Sequence, residues 1–285
     1  MDTSLLRRKL PLLAALLVVL VAVPAVAEEA PPPPSKEDAF FTTTNVQALW
    51  GGGFSDAQLG YYTRTQSMFT ITLNNYTQFK FGDSFAFVDM YQGDFINPFL
   101  PGNVSAGNAK LYAEWHPRLL VNQMLGMKDP VLGVIGNWGV AGEINVGNNF
   151  SAYLVGPSID LFLPLNIYVG MAFYYRYSAL WLAPGTAGTI YTHTWQFSPY
   201  WTAPFQIGPV PFVFTGFLDM YQYTTGGVDV MFQPQLLVDI LAPFGSKKNT
   251  LFAGCEWYLH SYILFDGAPR HTVSAPQVMV QWNIH

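Results

Sequence analysis

From Phe69 to Phe95 the chain reads FTITLNNYTQFKFGDSFAFVDMYQGDF, two alternating segments that meet at Gly82. Side chains of a strand point alternately to opposite faces. Thr70, Thr72, Asn74, Tyr76, Gln78 and Lys80 therefore share one face, and Phe69, Ile71 and Leu73 the other. After Gly82 the parity swaps: Asp83, Phe85, Phe87, Asp89 and Tyr91 point one way, Ser84, Ala86, Val88 and Met90 the other. A face that mixes carboxylates with aromatic rings suits the wall of a wet cavity better than a packed core.

The alternation recurs almost to the last residue. The first strand is expected at Thr42–Trp50, closed by Gly51-Gly52-Gly53, and the fourth at Ala109–Arg118, where Tyr112, Glu114, His116 and Arg118 oppose Leu111, Ala113, Trp115 and Pro117. Further on, Glu143 and Asn145 oppose Ile144 and Val146, and Asp160 opposes Leu161. Tyr168, Tyr174 and Arg176 oppose Val169, Phe173 and Tyr175, while Phe217 and Asp219 oppose Leu218 and Met220. Gln233, Gln235 and Asp239 oppose Phe232, Leu236 and Val238, and Glu256, Tyr258 and His260 oppose Trp257 and Leu259. At the end Gln277, Gln281 and Asn283 oppose Val278, Val280 and Trp282. The count comes to about twelve strands.

Only 11% of residues are charged while 16% are aromatic, against about one-quarter charged in an ordinary soluble domain. Residues 1–27 carry Arg7, Arg8 and Lys9, then an apolar run, then Ala25-Val26-Ala27, and are expected to be a cleaved signal peptide. Pro11 and Pro24 interrupt that run, which argues against an anchoring helix. Losing the leader removes three bases and Asp2, moving the net charge from −5 to −7, which argues against nucleic acid as a partner. Cys255 is the single cysteine, so no intrachain disulfide exists. Beyond the leader no run approaches the ~20 apolar residues of a helical span. An exported, aromatic-rich, charge-poor chain then has one fold left: an all-β, transmembrane antiparallel up-and-down β-barrel over residues 42–285, behind a periplasmic Pro-rich lead at 28–41. Longer loops are expected outside, at Gly51–Gln66, Gln92–Asn108 and Ser178–Gly188, with turns near Gly82 and Pro164 on the periplasmic side.

Across nearly the whole exported part the chain resembles the nucleoside-specific, Tsx-like channels of the outer membrane. The likeness is carried by FKFGDSFAFVDM (79–90), YAEWHPRL (112–119), YLVGPSIDLFLP (153–164), QFSPYWTAPF (196–205), GFLDMY (216–221), QPQLL (233–237) and GCEWYLHS (254–261). It implies a monomeric barrel in outer-membrane lipid, placed there by the barrel-assembly machinery, whose narrow lumen passes nucleosides. Two positions depart from the family pattern: Asn74 stands where Glu is common, and Ile284-His285 ends the chain in place of Phe.

A nucleoside offers a planar ring and ribose hydroxyls; stacking on an aromatic ring contributes ~1–3 kcal/mol per base, and carboxylates accept from hydroxyls. Conduction needs several weak stations rather than one tight site. The candidate stations pair rings with ionisable groups: Asp83, Phe85, Phe87 and Asp89; Tyr112 and Glu114; Tyr174 and Arg176; Phe217 and Asp219. Against this stands a structural reading, in which Glu114, Asp160, Asp219, Arg118 and Arg176 brace the barrel as an ion network and Phe85 and Phe87 fill the lumen. Glu114 and Arg118, four apart on one face, favour bracing. His116 and His260 are expected to be hydrogen-bonding wall residues, and neither a metal nor a cofactor is expected. Two other functions remain open: a channel for other aromatic or hydrophobic solutes, and an outer-membrane phospholipase. The second needs a Ser–His pair, whereas His260 and Ser261 point to opposite faces and no Gly-x-Ser-x-Gly occurs. The expected protein is not an enzyme.

Overall fold

The computed structural model describes residues 40–54, 66–93, 110–127, 130–147, 150–181, 189–223, 226–245, 249–264 and 271–284. The leader, nearly all of the Pro-rich lead and the Asn148-Asn149 connection lie outside them, as do most of the expected outer loops. Twelve strands follow in chain order: β1 Phe40–Phe54, β2 Gln66–Phe79, β3 Gly82–Gly93, β4 Lys110–Leu120, β5 Ile135–Gly147, β6 Phe150–Leu163, β7 Ile167–Trp181, β8 Thr189–Ile207, β9 Val210–Tyr223, β10 Gly227–Asp239, β11 Leu251–Leu264 and β12 His271–Ile284. Each pairs antiparallel with its neighbours in sequence, and β1 pairs with β12, so the sheet closes on itself. Closure leaves no row of unpaired backbone groups, which a sheet in hydrocarbon could not tolerate. A short helix α1, Val121–Met124, follows β4 at one rim, and no helix among the described residues is long and apolar enough to cross a membrane.

The parity read from the sequence is the parity of the wall. On β12, Val273, Ala275, Gln277 and Met279 are buried, while Val278, Val280 and Trp282 on the other face are exposed. The outer wall carries exposed Leu111, Trp115, Val155, Phe173 and Tyr175. The buried inner face holds Asp83, Arg118, Glu143, Asp160, Arg176, Asp229 and Glu256. The charged residues are inside and the outer wall is apolar, the reverse of a water-soluble protein, although apolar clusters such as Leu49, Leu237, Phe252 and Met279 also lie inside.

Strand ends differ from expectation. β1 does not stop at Gly51-Gly52-Gly53: it begins at Phe40 and runs on to Phe54 through a register shift between Gly52 and Phe54. Gly53 has φ +95°, open to glycine, and this absorbs the extra residue of the bulge. β7 likewise continues to Trp181, beyond the loop start expected at Ser178.

Prolines on the outer wall break the ladders in a regular way. Pairing of β4 with β5 lapses between Trp115↔Ile144 and Arg118↔Ala141, around Pro117. The same gap occurs between β6 and β7 at Pro157, β8 and β9 at Pro199, and β10 and β11 at Pro234. The ladder of β12 with β1 ends at Gln277, beside Pro276. Proline has no N–H to donate, so one neighbour loses its partner while the other ladder holds: Ser84↔Pro117, Val140↔Pro157, Met171↔Pro199 and Pro234↔Gly216 remain paired.

Candidate functional site: the inner wall

Every residue singled out from the sequence lies on the inner face of its strand, but they join different groups. Near the rim of the β2–β3 turn, Asp83 is not a free acceptor. Arg118 Nε donates to Asp83 Oδ1 at 2.7 Å, a second Arg118 nitrogen reaches Asp83 Oδ2, and a third donates to Asp160 Oδ1 at 2.6 Å. Asn137 donates to Asp160 Oδ2 at 3.0 Å, Tyr76 to Asp83 at 3.3 Å, and the Tyr200 ring lies 5.8 Å from the guanidinium. Arg118 braces the barrel, as expected, but not through Glu114: residues four apart lie ~13 Å apart along a strand, and Arg118 finds its acids on other strands.

Further along the lumen Glu114 is held by its own strand. Tyr112 donates its hydroxyl to Glu114 Oε1, and His116 Nε2 lies 2.7 Å from Glu114 Oε2. The other ring nitrogen of His116 lies 3.4 Å from Glu143 Oε2. Glu143 Oε1 accepts from Asn145 at 2.9 Å and from Gln196 at 3.3 Å. Gln196 is the hub of this side, because it also contacts Ser198 and Asp219 and accepts from Arg176. Ser198 donates to Asp219 at 2.6 Å. Arg176 lies over the Tyr221 ring at 4.4 Å and the Phe150 ring at 5.5 Å, both within cation–π range. Tyr174 joins an apolar cluster with Ala141, Ala152, Leu154 and Ala172, and Phe217 shares the inner face with Asp219, between Tyr200 and Gln233 in the register.

Phe85 and Phe87 of β3 and Tyr112 and His116 of β4 form one row. Phe85 and Phe87 centroids are 6.0 Å apart, Phe85 is 5.9 Å and Phe87 6.5 Å from the His116 ring, and Phe87 is 6.0 Å from Tyr112. Phe85 keeps 37% of its surface exposed, while Asp83 on the same strand and Glu143 beside His116 are buried. Rings are presented and charges are turned into one another.

Toward the opposite rim, Asp89 accepts from Thr72 at 2.6 Å and Tyr91 at 2.8 Å. Asp229 meets His260 Nε2 at 2.6 Å and the Tyr221 hydroxyl at 2.5 Å, and Glu256 accepts from Gln235 at 2.6 Å and Gln277 at 2.7 Å. His260 thus turns inward, whereas Ser261 bonds Thr272 at 3.0 Å on the outer wall, and the two do not form a nucleophile–base pair. Sequence reasoning left Glu143, Gln196 and Asp229 out of the candidate stations. Asp229 was open to the parity rule, since it shares the odd face of β10 with Gln233 and Gln235. What made Glu143 and Gln196 central is contact across the lumen, which no local pattern records.

No protein-family model and no curated protein matches the chain. Among solved structures it is similar to a KdgM porin, at TM-score 0.41 and 8% identity over 86% of this chain and 100% of that one. The same porin in complex with disordered oligogalacturonate gives TM-score 0.40 at 8% identity, over 86% and 100%. The β domain of the Bordetella autotransporter BrkA gives 0.38 at 8% identity, over 85% and 98%.

Proposed function

We propose that the chain is a passive outer-membrane channel for small planar solutes, nucleosides among them, which it passes along rings rather than along charges. The observation that carries this reading is the row Phe85, Phe87, Tyr112 and His116 on the inner face of a closed barrel whose outer wall is apolar. An aromatic ring half-open to a polar lumen offers a face on which a base stacks, and stacking at ~1–3 kcal/mol is favourable yet escapable. Asp219 and Phe217 on β9 supply a further station. The protein is exported behind residues 1–27, inserts as a monomer with the help of the assembly machinery, and performs no catalysis.

A second reading is favoured by one specific feature. Asp83, Asp89, Glu114 and Asp219 each already accept hydrogen bonds from protein donors, so ribose hydroxyls meet competition for every acid. A channel for aromatic or hydrophobic solutes without ribose would not need those acceptors. Liposome swelling separates the two readings. With nucleosides, free bases, sugars and aromatic acids as osmolytes, the nucleoside reading expects nucleosides to enter faster than sugars of smaller size. Equal entry by size alone would defeat both readings.

A further inference from the structure

We infer that Glu114, His116 and Glu143 form a binding site for one first-row divalent cation on the wall of the lumen. The three titratable residues sit on adjoining strands β4 and β5, and their ligand atoms all lie within 4.8 Å of one another. Two ligand atoms bonded at ~2.1 Å to one ion lie at most ~4.2 Å apart, so side-chain rotations must draw the set in on an ion. One imidazole and two carboxylates are donors of the kind that zinc, manganese, iron and cobalt accept.

One buried acceptor points to the cation independently of that grouping. Glu143 is only 2% exposed, and its Oε2, which faces His116 at 3.4 Å, receives no hydrogen bond. Buried acceptors are seldom left unsatisfied, and a cation in the group supplies that oxygen with a partner.

The consequence goes beyond solute passage. The His116 ring touches Phe85 and Phe87, so an ion on His116 orients the ring against which they pack. Second-sphere residues are in place: Tyr112 holds Glu114 and Gln196 holds Glu143.

The test is binding, independent of any transport assay. Cys255 is an exposed thiol and His193 an outer-wall imidazole bound to Tyr175, so the protein is refolded in detergent with Cys255→Ser and His193→Ala. Zinc is titrated by calorimetry and cobalt by its visible spectrum. The expected result is one equivalent in this background, with affinity at least about ten-fold weaker in His116→Gln and in Glu143→Gln. Heat-modifiable gel mobility reports folding. Should a variant fail to fold, zinc X-ray absorption of the parent protein still decides, because one imidazole in the coordination sphere is required. Absence of stoichiometric zinc, undiminished affinity in folded His116→Gln, or a zinc sphere without imidazole would each overturn the site.

Discussion

Arg118 reaches Asp83 on β3 and Asp160 on β6 from β4, tying together strands that are not all neighbours in the sheet. Removing one partner of a buried ion pair leaves an uncompensated charge, at a cost of about 3–5 kcal/mol. Arg118→Ala is therefore expected to lower markedly the temperature at which the folded band converts to the unfolded one on gels. Arg118→Ala with Asp83→Asn and Asp160→Asn should regain part of that loss, and no recovery would mean the guanidinium contributes through packing alone. The placement of Asp83, Glu114 and Asp219 on the inner face was legible from alternation; their partners were not. Period 2 assigns a face, while a hydrogen bond such as Gln196 to Glu143 depends on which residues the curvature brings across the lumen.

Strand identity was the most legible feature, since each strand alternates over many residues and a slip by one would turn every side chain to the wrong side. With Cys255 replaced by Ser, cysteine at Val88, Val169 or Val280 is expected to react only with lipid-phase reagents, and cysteine at Phe87, Tyr168 or Gln281 with water-soluble ones. Reversal in more than one strand would contradict the register. The continuation of β1 past its three glycines was illegible because glycine reads as a terminator, whereas here it allows close approach. A Cβ built on Gly139 of β5 would stand 1.9 Å from the Leu119 carbonyl oxygen of β4, while one on Gly52 meets nothing within 4 Å. Gly139→Ala should impair refolding and Gly52→Ala should not; equal yields would argue against so tight a β4–β5 contact. The proline gaps were equally hidden, since proline in a run ordinarily demotes it to an edge. In a closed sheet it instead removes pairing on one side only.

The closed barrel sets the electrical character of the protein. Its inner wall carries Asp83, Asp89, Glu114, Glu143, Asp160, Asp219, Asp229 and Glu256 against Arg118 and Arg176. A narrow passage through low-dielectric surroundings focuses the field of its walls, so the reversal potential in a salt gradient should show cations preferred, and anion preference would contradict the charge reading. Closure itself was legible from the expected leader, composition and alternation together, because no other β architecture leaves its backbone satisfied in lipid. The candidate site was less so: the rings of Phe85 and Phe87 were visible, but that the acids beside them are occupied by protein donors was not. The most direct measurement of the account is block of single-channel current by a nucleoside in planar bilayers, comparing the wild type with Phe87→Ala. Stacking on Phe87 predicts concentration-dependent block that weakens by about ten-fold in the variant, as a loss of ~1.4 kcal/mol would produce. Block of equal strength in folded Phe87→Ala, or none in the wild type, would contradict it.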